Sequence, residues 1–469
     1  MRYLALCCDY DGTLAENGTV APATVDALQR LRASGRRILL VTGRILEELQ
    51  TVCSRLNLFD RVIAENGASL YNPATREERL LSERPAELFV QTLRDRGVQP
   101  LSVGRVIVAA WQPHQTIVLN AIRDLGLELQ VIFNKDSVMV LPTGVNKASG
   151  LAVALQDLNV SPHNIVGIGD AENDYAFLAS CDVGVAVDNA LPLLKAAADF
   201  VTHNARGAGV VELIEELLED DLHARRSRLG RHRVVLGLDE SRKEILLRPQ
   251  DFNALLVPAS GGGKSTVVTG LLERLAVQGY NFCVIDAEGV YAGLEGALTL
   301  GTVTQAPTPD EAQQLLNTYD TNFIVNLSAV KPEDRPRRFL ELLRRIQEAR
   351  LRNGRPHLLV IDEIHRIVPA NQEIHDCYPL AQLEGVLRIS TQPKLIAQAA
   401  LSGITSALAT GKEPQRALRE ISGIARIAAP SQTAAKLQNG EALYWSIAPA
   451  QTPQKITLPA APTAARLNR

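Results

Sequence analysis

A chain of 469 residues, at about 150 residues per domain, has length for roughly three domains, so more than one packed core is expected. Hydrophobic residues make up 46% and charged residues 22%, which excludes collagenous, mucin-like and disordered classes. With 49 Lys and Arg against 52 Asp and Glu, the net charge is -3, so no global basic excess points to nucleic acid or an anionic membrane.

Any such contact must be local. Apolar stretches run about six to eight residues before a charge or Gly interrupts them, whereas a membrane-spanning helix needs about twenty, so no membrane partner is expected. The chain opens into an apolar strand, Tyr3 to Cys8, without the features of a signal peptide, and a cytoplasmic protein is expected. Six cysteines stand at 7, 8, 53, 181, 283 and 377. They show no paired metal-site spacing and no disulfide density, and are expected to be reduced.

From residue 3 to about 222, short Val/Ile/Leu runs alternate with helical stretches. RILLVTGR, RVIAENGA, NIVGIGDA and CDVGVAV each end in Gly or polar residues, a rhythm that predicts parallel α/β structure over 1–222. Between about residues 80 and 143 the rhythm breaks. VIVAAW, the helical QTIVLNAIRDLG, LQVIFN and SVMVLP predict an inserted α+β subdomain there. GVVELIEELLEDDL reads as an acidic helix, and HARRSRLGRHR, carrying five Arg, as a basic linker over 223–233. RVVLGL, DESRKE and ILLRP predict a hairpin leading into the strand NALLVP. A second α/β unit over 234–448 continues through NFCVIDAEG, NFIVNLS, the helix RRFLELLRRIQEARLRNG and the strand HLLVIDE. Residues 449–469 read as a Pro/Ala-rich tail.

The strand YLALCC delivers DYDGTLA, placing Asp9 and Asp11 at its carboxyl end, where an open parallel sheet binds ligands. The following Gly allows close approach of an anion. Thr42-Gly43-Arg44, then Lys147 in GVNKASG, then Asp170 and Asp174 in GIGDAEND follow in order, each at the edge of a strand or helix. Together these pieces resemble the four motifs of the haloacid dehalogenase superfamily of phosphatases. The insertion, ENGA at 65–68 and GDAEND resemble subclass IIB, the Cof-type group that includes sugar-phosphate phosphatases with a mobile cap. The resemblance covers roughly residues 1–222 and implies a Rossmann-like core with an α+β cap.

A phosphomonoester dianion repels an attacking carboxylate, so a cation and a Lys must neutralise it first, and Mg²⁺ suits an all-oxygen site. The resemblance implies that Asp9 is the nucleophile, forming an aspartyl-phosphate, and that Asp11 protonates the leaving alkoxide and later activates water. Thr42 and Lys147 would hold the phosphoryl oxygens. Asp170 would join Asp9 and the Asp11 carbonyl on the metal, with Asp174 supporting it. In the cap, Trp111, His114, Asn134 and Lys135 are candidate substrate contacts.

The strand NALLVP, the loop ASGGGKST and the helix VVTGLLERLAVQG follow the order a P-loop requires. Backbone N–H groups of Gly261, Gly262, Gly263 and Lys264 would cradle the phosphates of ATP, Lys264 would pair with β and γ oxygens, Ser265 would ligate Mg²⁺, and Thr266 closes the motif. Pro258 stands where the first Gly of the motif is expected. About a hundred residues on, HLLVIDE ends in Asp362, to hold the Mg²⁺ water shell, and Glu363, to polarise the attacking water. The run from the hairpin through GGGKST, VIDAEGVY, RPHLLVIDE and STQPK resembles the HerA-FtsK branch of P-loop ATPases over roughly 232–448. That resemblance implies a RecA-like domain, Gln392 as a γ-phosphate sensor, a homo-oligomeric ring such as a hexamer, and DNA or a protein as the partner it would move. The Arg-rich run 335–345 is more simply a solvated helix face.

The two halves read as a Mg²⁺-dependent phosphomonoesterase for a small phosphorylated substrate, fused to an ATPase. A polynucleotide end-processing phosphatase/kinase, or one half serving only as a sensing or docking module, are the alternatives. The cap, which favours small substrates, and the Asp-Glu pair argue against the first of these.

Overall fold

Runs of Val, Ile and Leu without polar alternation are buried on both faces, and here they form the centres of two separate sheets. The computed structural model describes residues 1–258, 264–370, 380, 383–431, 436–448 and 451–459. The chain divides into two compact units, Met1–Arg231 and His232–Arg469.

In the first unit, Ala5–Asp9 is buried along its whole length. It pairs in parallel with Arg37–Val41 on one side and Ile165–Gly169 on the other. The eight-stranded order is Phe200–Val201, Val183–Ala186, Ile165–Gly169, Ala5–Asp9, Arg37–Val41, Arg61–Ala64, Ser69–Asn72 and Glu77–Leu80. The last two strands run antiparallel. Because the chain leaves Ala5–Asp9 toward one edge and later returns to its other side, the carboxyl end of this strand is a switch point with an open crevice. Asp9 lies opposite Val41 and Cys8 opposite Ile168, so the residues following all three strands meet there.

After Glu77–Leu80 the insert forms its own four-stranded antiparallel sheet, ordered Leu129–Asn134, Ser137–Pro142, Val108–Trp111 and Ser102–Val103. Helices Glu87–Asp95 and Gln115–Asp124 pack on it through Phe89, Leu93, Val118 and Ala121, giving the insert a core of its own.

The helix Lys147–Leu158 starts at a capping box. The Asn146 side chain accepts from the N–H groups of Ala148 and Ser149, and Ser149 Oγ accepts from the Asn146 N–H. Its first turn presses against the loop at Gly67. That residue has φ +103°, and a Cβ there would lie 1.9 Å from the Asn146 carbonyl oxygen, so only Gly lets the helix start this close to the sheet.

Residues 223–231, expected as part of a linker, belong instead to the first unit. Leu222 and Leu229 are buried in its core. Arg225 pairs with Glu216 and lies over the Phe200 ring, and Arg231 donates to the carbonyls of Leu178 and Ala197. The arginines face acids, carbonyls and a ring of the same unit, and two leucines anchor the segment between them.

In the second unit the described residues form an eleven-stranded sheet, ordered Glu244–Leu247, Val234–Leu238, Gln454–Thr457, Glu441–Ser446, Ser406–Ala409, Asn253–Val257, Val386–Ile389, Leu358–Ile361, Phe282–Asp286, Phe323–Asn326 and Leu298–Leu300. Ser406–Ala409 to Leu298–Leu300 are parallel. Successive residues serve opposite faces: Leu255, Cys283 and Ile285 enter one core, while Ala254, Leu256, Phe282 and Val284 enter the other. Gln454–Thr457, expected inside a tail, is a strand paired antiparallel with Glu441–Ser446; buried Ile456 holds it in the core. Among the described residues no helix is long and apolar enough to cross a membrane.

The buried leucines make a measurable claim. A chain ending at Arg231 should unfold cooperatively in urea, and one ending at Asp221 should be less stable by about 3–5 kcal/mol, the burial of two leucine side chains. Equal midpoints would show that 222–231 contributes nothing to this core.

Candidate functional site

Four segments converge at the switch point of the first unit. Asp9 ends Ala5–Asp9, Thr42 follows Arg37–Val41, Lys147 opens its helix, and Asp170 follows Ile165–Gly169. Lys147 Nζ donates to Asp9 Oδ1 at 2.5 Å and to Asp174 Oδ1 at 2.6 Å, and its side chain is 1% exposed. The other Asp174 oxygen accepts the N–H groups of Asp170 and Ala171, both at 2.9 Å, which ties the loop after the strand to the cluster. Thr13 Oγ1 and Lys135 Nζ donate to Asp170 at 3.1 and 2.9 Å. Gly12, with φ +88°, passes so close that a Cβ there would lie 2.4 Å from Asp170 Oδ2.

One oxygen each from Asp9, Asp170 and Asp174 lies within 4.8 Å of the others, all three residues buried. Burial first, and then the Asp174 charge, push the Asp9 carboxyl well above the ordinary range despite Lys147. Burial likewise raises Asp170 against the pull of Lys135. For Lys147, burial alone would depress the ammonium, but Asp174 and Asp9 outweigh it and hold the group above an ordinary lysine. Three buried carboxylates are thus under-neutralised, and an all-oxygen set with that charge deficit fits a hard divalent cation. The Asp11 side chain stands outside this group; Arg44 holds it through two hydrogen bonds at 2.6 and 2.7 Å.

The insert closes over this cluster. A cavity of about 430 Å³ is lined by Asp9, Asp11, Thr42 and Arg44 from the core and by Trp111, Asn134 and Met139 from the insert. Asn134 Oδ1 and the Oδ1 of Asn173, both buried at this cavity, have no hydrogen-bond partner among the described residues. Of the four cap candidates, Trp111 and Asn134 line the cavity and Lys135 reaches Asp170. His114 faces a neighbouring depression and contacts the Gln99 carbonyl at 2.9 Å.

Sequence reasoning named no role for Glu65. Fully buried, its carboxylate accepts N–H groups from Arg105, Val106 and Ile107 of the insert at 2.9, 2.7 and 2.8 Å. An acidic residue directly after an apolar strand was the available signal.

A model of haloacid dehalogenase-like hydrolases matches residues 6–111 and 119–214. Phosphoglycolate phosphatase 2 of Saccharolobus solfataricus is 30% identical over 222 residues, spanning 46% of this chain and 92% of that protein. The chain belongs to the haloacid dehalogenase-like hydrolases. A phosphoglycolate phosphatase of Pyrobaculum aerophilum is 32% identical over 224 residues, covering 46% of this chain and 97% of its own. Among solved structures, a haloacid dehalogenase-like hydrolase from Bacteroides thetaiotaomicron aligns with a TM-score of 0.42 at 20% identity, covering 46% of this chain and 99% of its own.

Outside the hydrolase unit, a second polar cluster lies at the carboxyl ends of the second sheet. Gly261, Gly262 and Gly263 lie outside the described residues. Lys264 opens the helix Lys264–Val277, Ser265 is half-buried and Thr266 exposed. Lys264 Nζ donates to Asp362 Oδ2 at 3.0 Å and Glu363 Oε1 at 2.9 Å, with Glu288 at 3.6 Å. Val386–Ile389 lies between Asn253–Val257 and Leu358–Ile361, so the lysine reaches past one strand to the acid pair.

Glu363 sits at φ +44°, a left-handed conformation rare outside Gly and often found at functional sites. Burial pushes Asp362 up to about 7 against the pull of Lys264, and among the described residues its Oδ1 has no hydrogen-bond partner. For Glu363, hydrogen bonds from Lys264 and Thr391 overcome burial and hold the carboxyl below its usual range.

Gln392, expected to face the nucleotide, is exposed, and its N–H donates to Ser390 Oγ. The contact to Glu363 comes from Thr391, whose N–H and Oγ1 donate at 3.2 and 2.9 Å. His365 Nδ1 lies 3.0 Å from Ser390 Oγ and 3.2 Å from Glu363, and burial depresses its pKa. Tyr291, also unassigned from the sequence, keeps a buried hydroxyl without a partner among the described residues, in the field of Asp362 and Asp286. On the Arg-rich helix, Arg337 and Arg338 pair with Glu341, and Arg345 with Asp310.

Lys147→Met would leave Asp9 and Asp174 buried without their shared cation. The variant should lose about 3–5 kcal/mol in urea unfolding at neutral pH without divalent metal, the usual cost of breaking a buried pair. A loss below about 1 kcal/mol would mean that water already solvates the cluster.

Proposed function

We propose that the first unit is a Mg²⁺-dependent phosphomonoesterase working through an aspartyl-phosphate on Asp9, and that the second unit binds and hydrolyses ATP. The observation that carries the first reading is Lys147 held between Asp9 and Asp174 at 2.5 and 2.6 Å, with Asp170 in the same carboxylate group. Asp9 Oδ attacks phosphorus as the ester P–O bond breaks, and Asp11 gives its proton to the leaving alkoxide. Asp11 then takes a proton from the water that opens the aspartyl-phosphate. Thr42 and Lys147 hold phosphoryl oxygens, and Asp9, Asp170, Asp174 and the Asp11 carbonyl serve the metal. Bound Mg²⁺ supplies neutralisation of the phosphoryl charge. A cavity of about 430 Å³ under the insert supports a small substrate. The names of the archaeal relatives support a phosphorylated 2-hydroxy acid such as 2-phosphoglycolate.

Asp9→Asn should abolish phosphatase turnover with Mg²⁺ while ATP hydrolysis persists, since the two activities belong to units with separate cores. Phosphatase activity within tenfold of wild type would remove Asp9 as nucleophile.

The second reading is carried by Lys264 joined to both Asp362 and Glu363. The lysine would exchange these acids for β and γ phosphate oxygens, Ser265 and Asp362 would serve Mg²⁺, and Glu363 would polarise water. Thr391 would orient Glu363, and Gln392 beside it would sense the γ-phosphate. Glu363→Gln should retain ATP binding and slow hydrolysis by about two to four orders of magnitude, whereas Lys264→Ala should weaken binding itself. Equal loss of binding in both would make Glu363 a structural residue.

A further inference from the structure

Arg44 grips the Asp11 carboxylate with two parallel hydrogen bonds, Nε to Oδ2 at 2.6 Å and Nη2 to Oδ1 at 2.7 Å. This fork is the geometry by which arginine recognises carboxylates in general. The pair is not locked in the core. The Arg44 side chain is 28% exposed and that of Asp11 41%, both line the cavity that also contains Asp9, and a partly exposed ion pair is cheaply exchanged. Among the described residues lining that cavity Arg44 is the only cation. Lys147 is committed to Asp9 and Asp174, and Lys135 to Asp170.

Resting on the phosphatase reading, we propose that Arg44 is the subsite for a carboxylate on the substrate, and that Asp11 occupies it as an internal place-holder in the free protein. Asp11 stands two residues past Asp9, so the group meant to face the leaving oxygen is also the group Arg44 holds. A carboxylate on the carbon that bears the ester oxygen comes within reach of the same fork. Exchange turns Arg44 to the ligand and frees the Asp11 carboxylate, which takes up a proton from solvent water and turns to the leaving oxygen. The Asp9–phosphorus bond then forms, the ester P–O bond breaks, and the Asp11 proton passes to the alkoxide. A substrate lacking the carboxylate leaves Arg44 on Asp11, with the acid turned away from the reaction. Arg44 therefore selects the substrate and releases the acid in one event.

The test compares kcat/KM of the full-length protein with Mg²⁺ for 2-phosphoglycolate and for 2-hydroxyethyl phosphate, which replaces the carboxylate with a neutral hydroxymethyl group. The wild type should favour 2-phosphoglycolate by roughly a hundredfold, the scale of a charge-assisted recognition contact. Arg44→Gln should bring the ratio within about threefold of unity. Arg44→Lys, which keeps charge but loses the fork, should fall between, and Lys135→Met should keep the wild-type ratio. A wild-type ratio near one, an undiminished ratio in Arg44→Gln, or a collapse in Lys135→Met would overturn the assignment. Failure of the wild type to turn over these esters and p-nitrophenyl phosphate would remove the phosphatase reading, and this one with it.

Discussion

A buried ammonium shared by two buried carboxylates organises the first unit. Lys147 is 1% exposed and touches Asp9 and Asp174 together. Such a charge is costly to dehydrate and is tolerated only when its partners are fixed in good geometry. Much of the surrounding architecture supplies that geometry. Asn146 caps the helix that begins at Lys147, Gly67 lets this helix approach the sheet, and the N–H groups of Asp170 and Ala171 hold Asp174. Two positive charges, Lys147 and Lys135, stand against three carboxylates, which leaves the cluster receptive to a cation and to a phosphoryl group that brings one.

The second unit solves a related problem with a looser arrangement. Lys264 also opens a helix and also meets two acids at strand ends, but its side chain is 15% exposed, and one Asp362 oxygen has no partner among the described residues. On the proposed nucleotide-binding reading, Lys264 leaves these acids for a phosphate while the two carboxylates remain anchored. Thr391, just past the neighbouring strand, donates to Glu363, and His365, two residues along the chain from Glu363, lies against the same carboxylate with Ser390 holding its ring, a support that restricts the rotamers of Glu363 and suits the water-polarising role proposed for it.

The insert is bound to the hydrolase core by polar contacts that differ in strength. Glu65 is fully buried and receives three backbone N–H groups of the insert, a strong and directional tie. Lys135, on an exposed turn, reaches Asp170 in the carboxylate cluster. A cation there would compete with Lys135 for the same carboxylate, so the turn and the metal shell answer to one another electrostatically.

The sequence by itself determined the elements that carry chemistry. Asp9, Asp11, Thr42, Asp170, Asp362 and Glu363 stand directly beyond apolar runs, and an apolar run buried on both faces must end where polar residues emerge. It also determined the α/β class of both halves and the inserted subdomain, through periodicity and its interruption. Only tertiary structure decided that Asp11 rests on Arg44, that Lys135 reaches Asp170 and that Glu65 holds the insert, because these contacts depend on how loops from separate strands close over one edge. Leu222 and Leu229 were hidden by the arginines around them. Their burial follows from the packing of 222–231 on its own unit, not from any local periodicity. Gln392 and Thr391 differ by a single position. Which of them meets Glu363 is set by where Val386–Ile389 ends against Leu358–Ile361, a register that pairing between strands defines and composition does not.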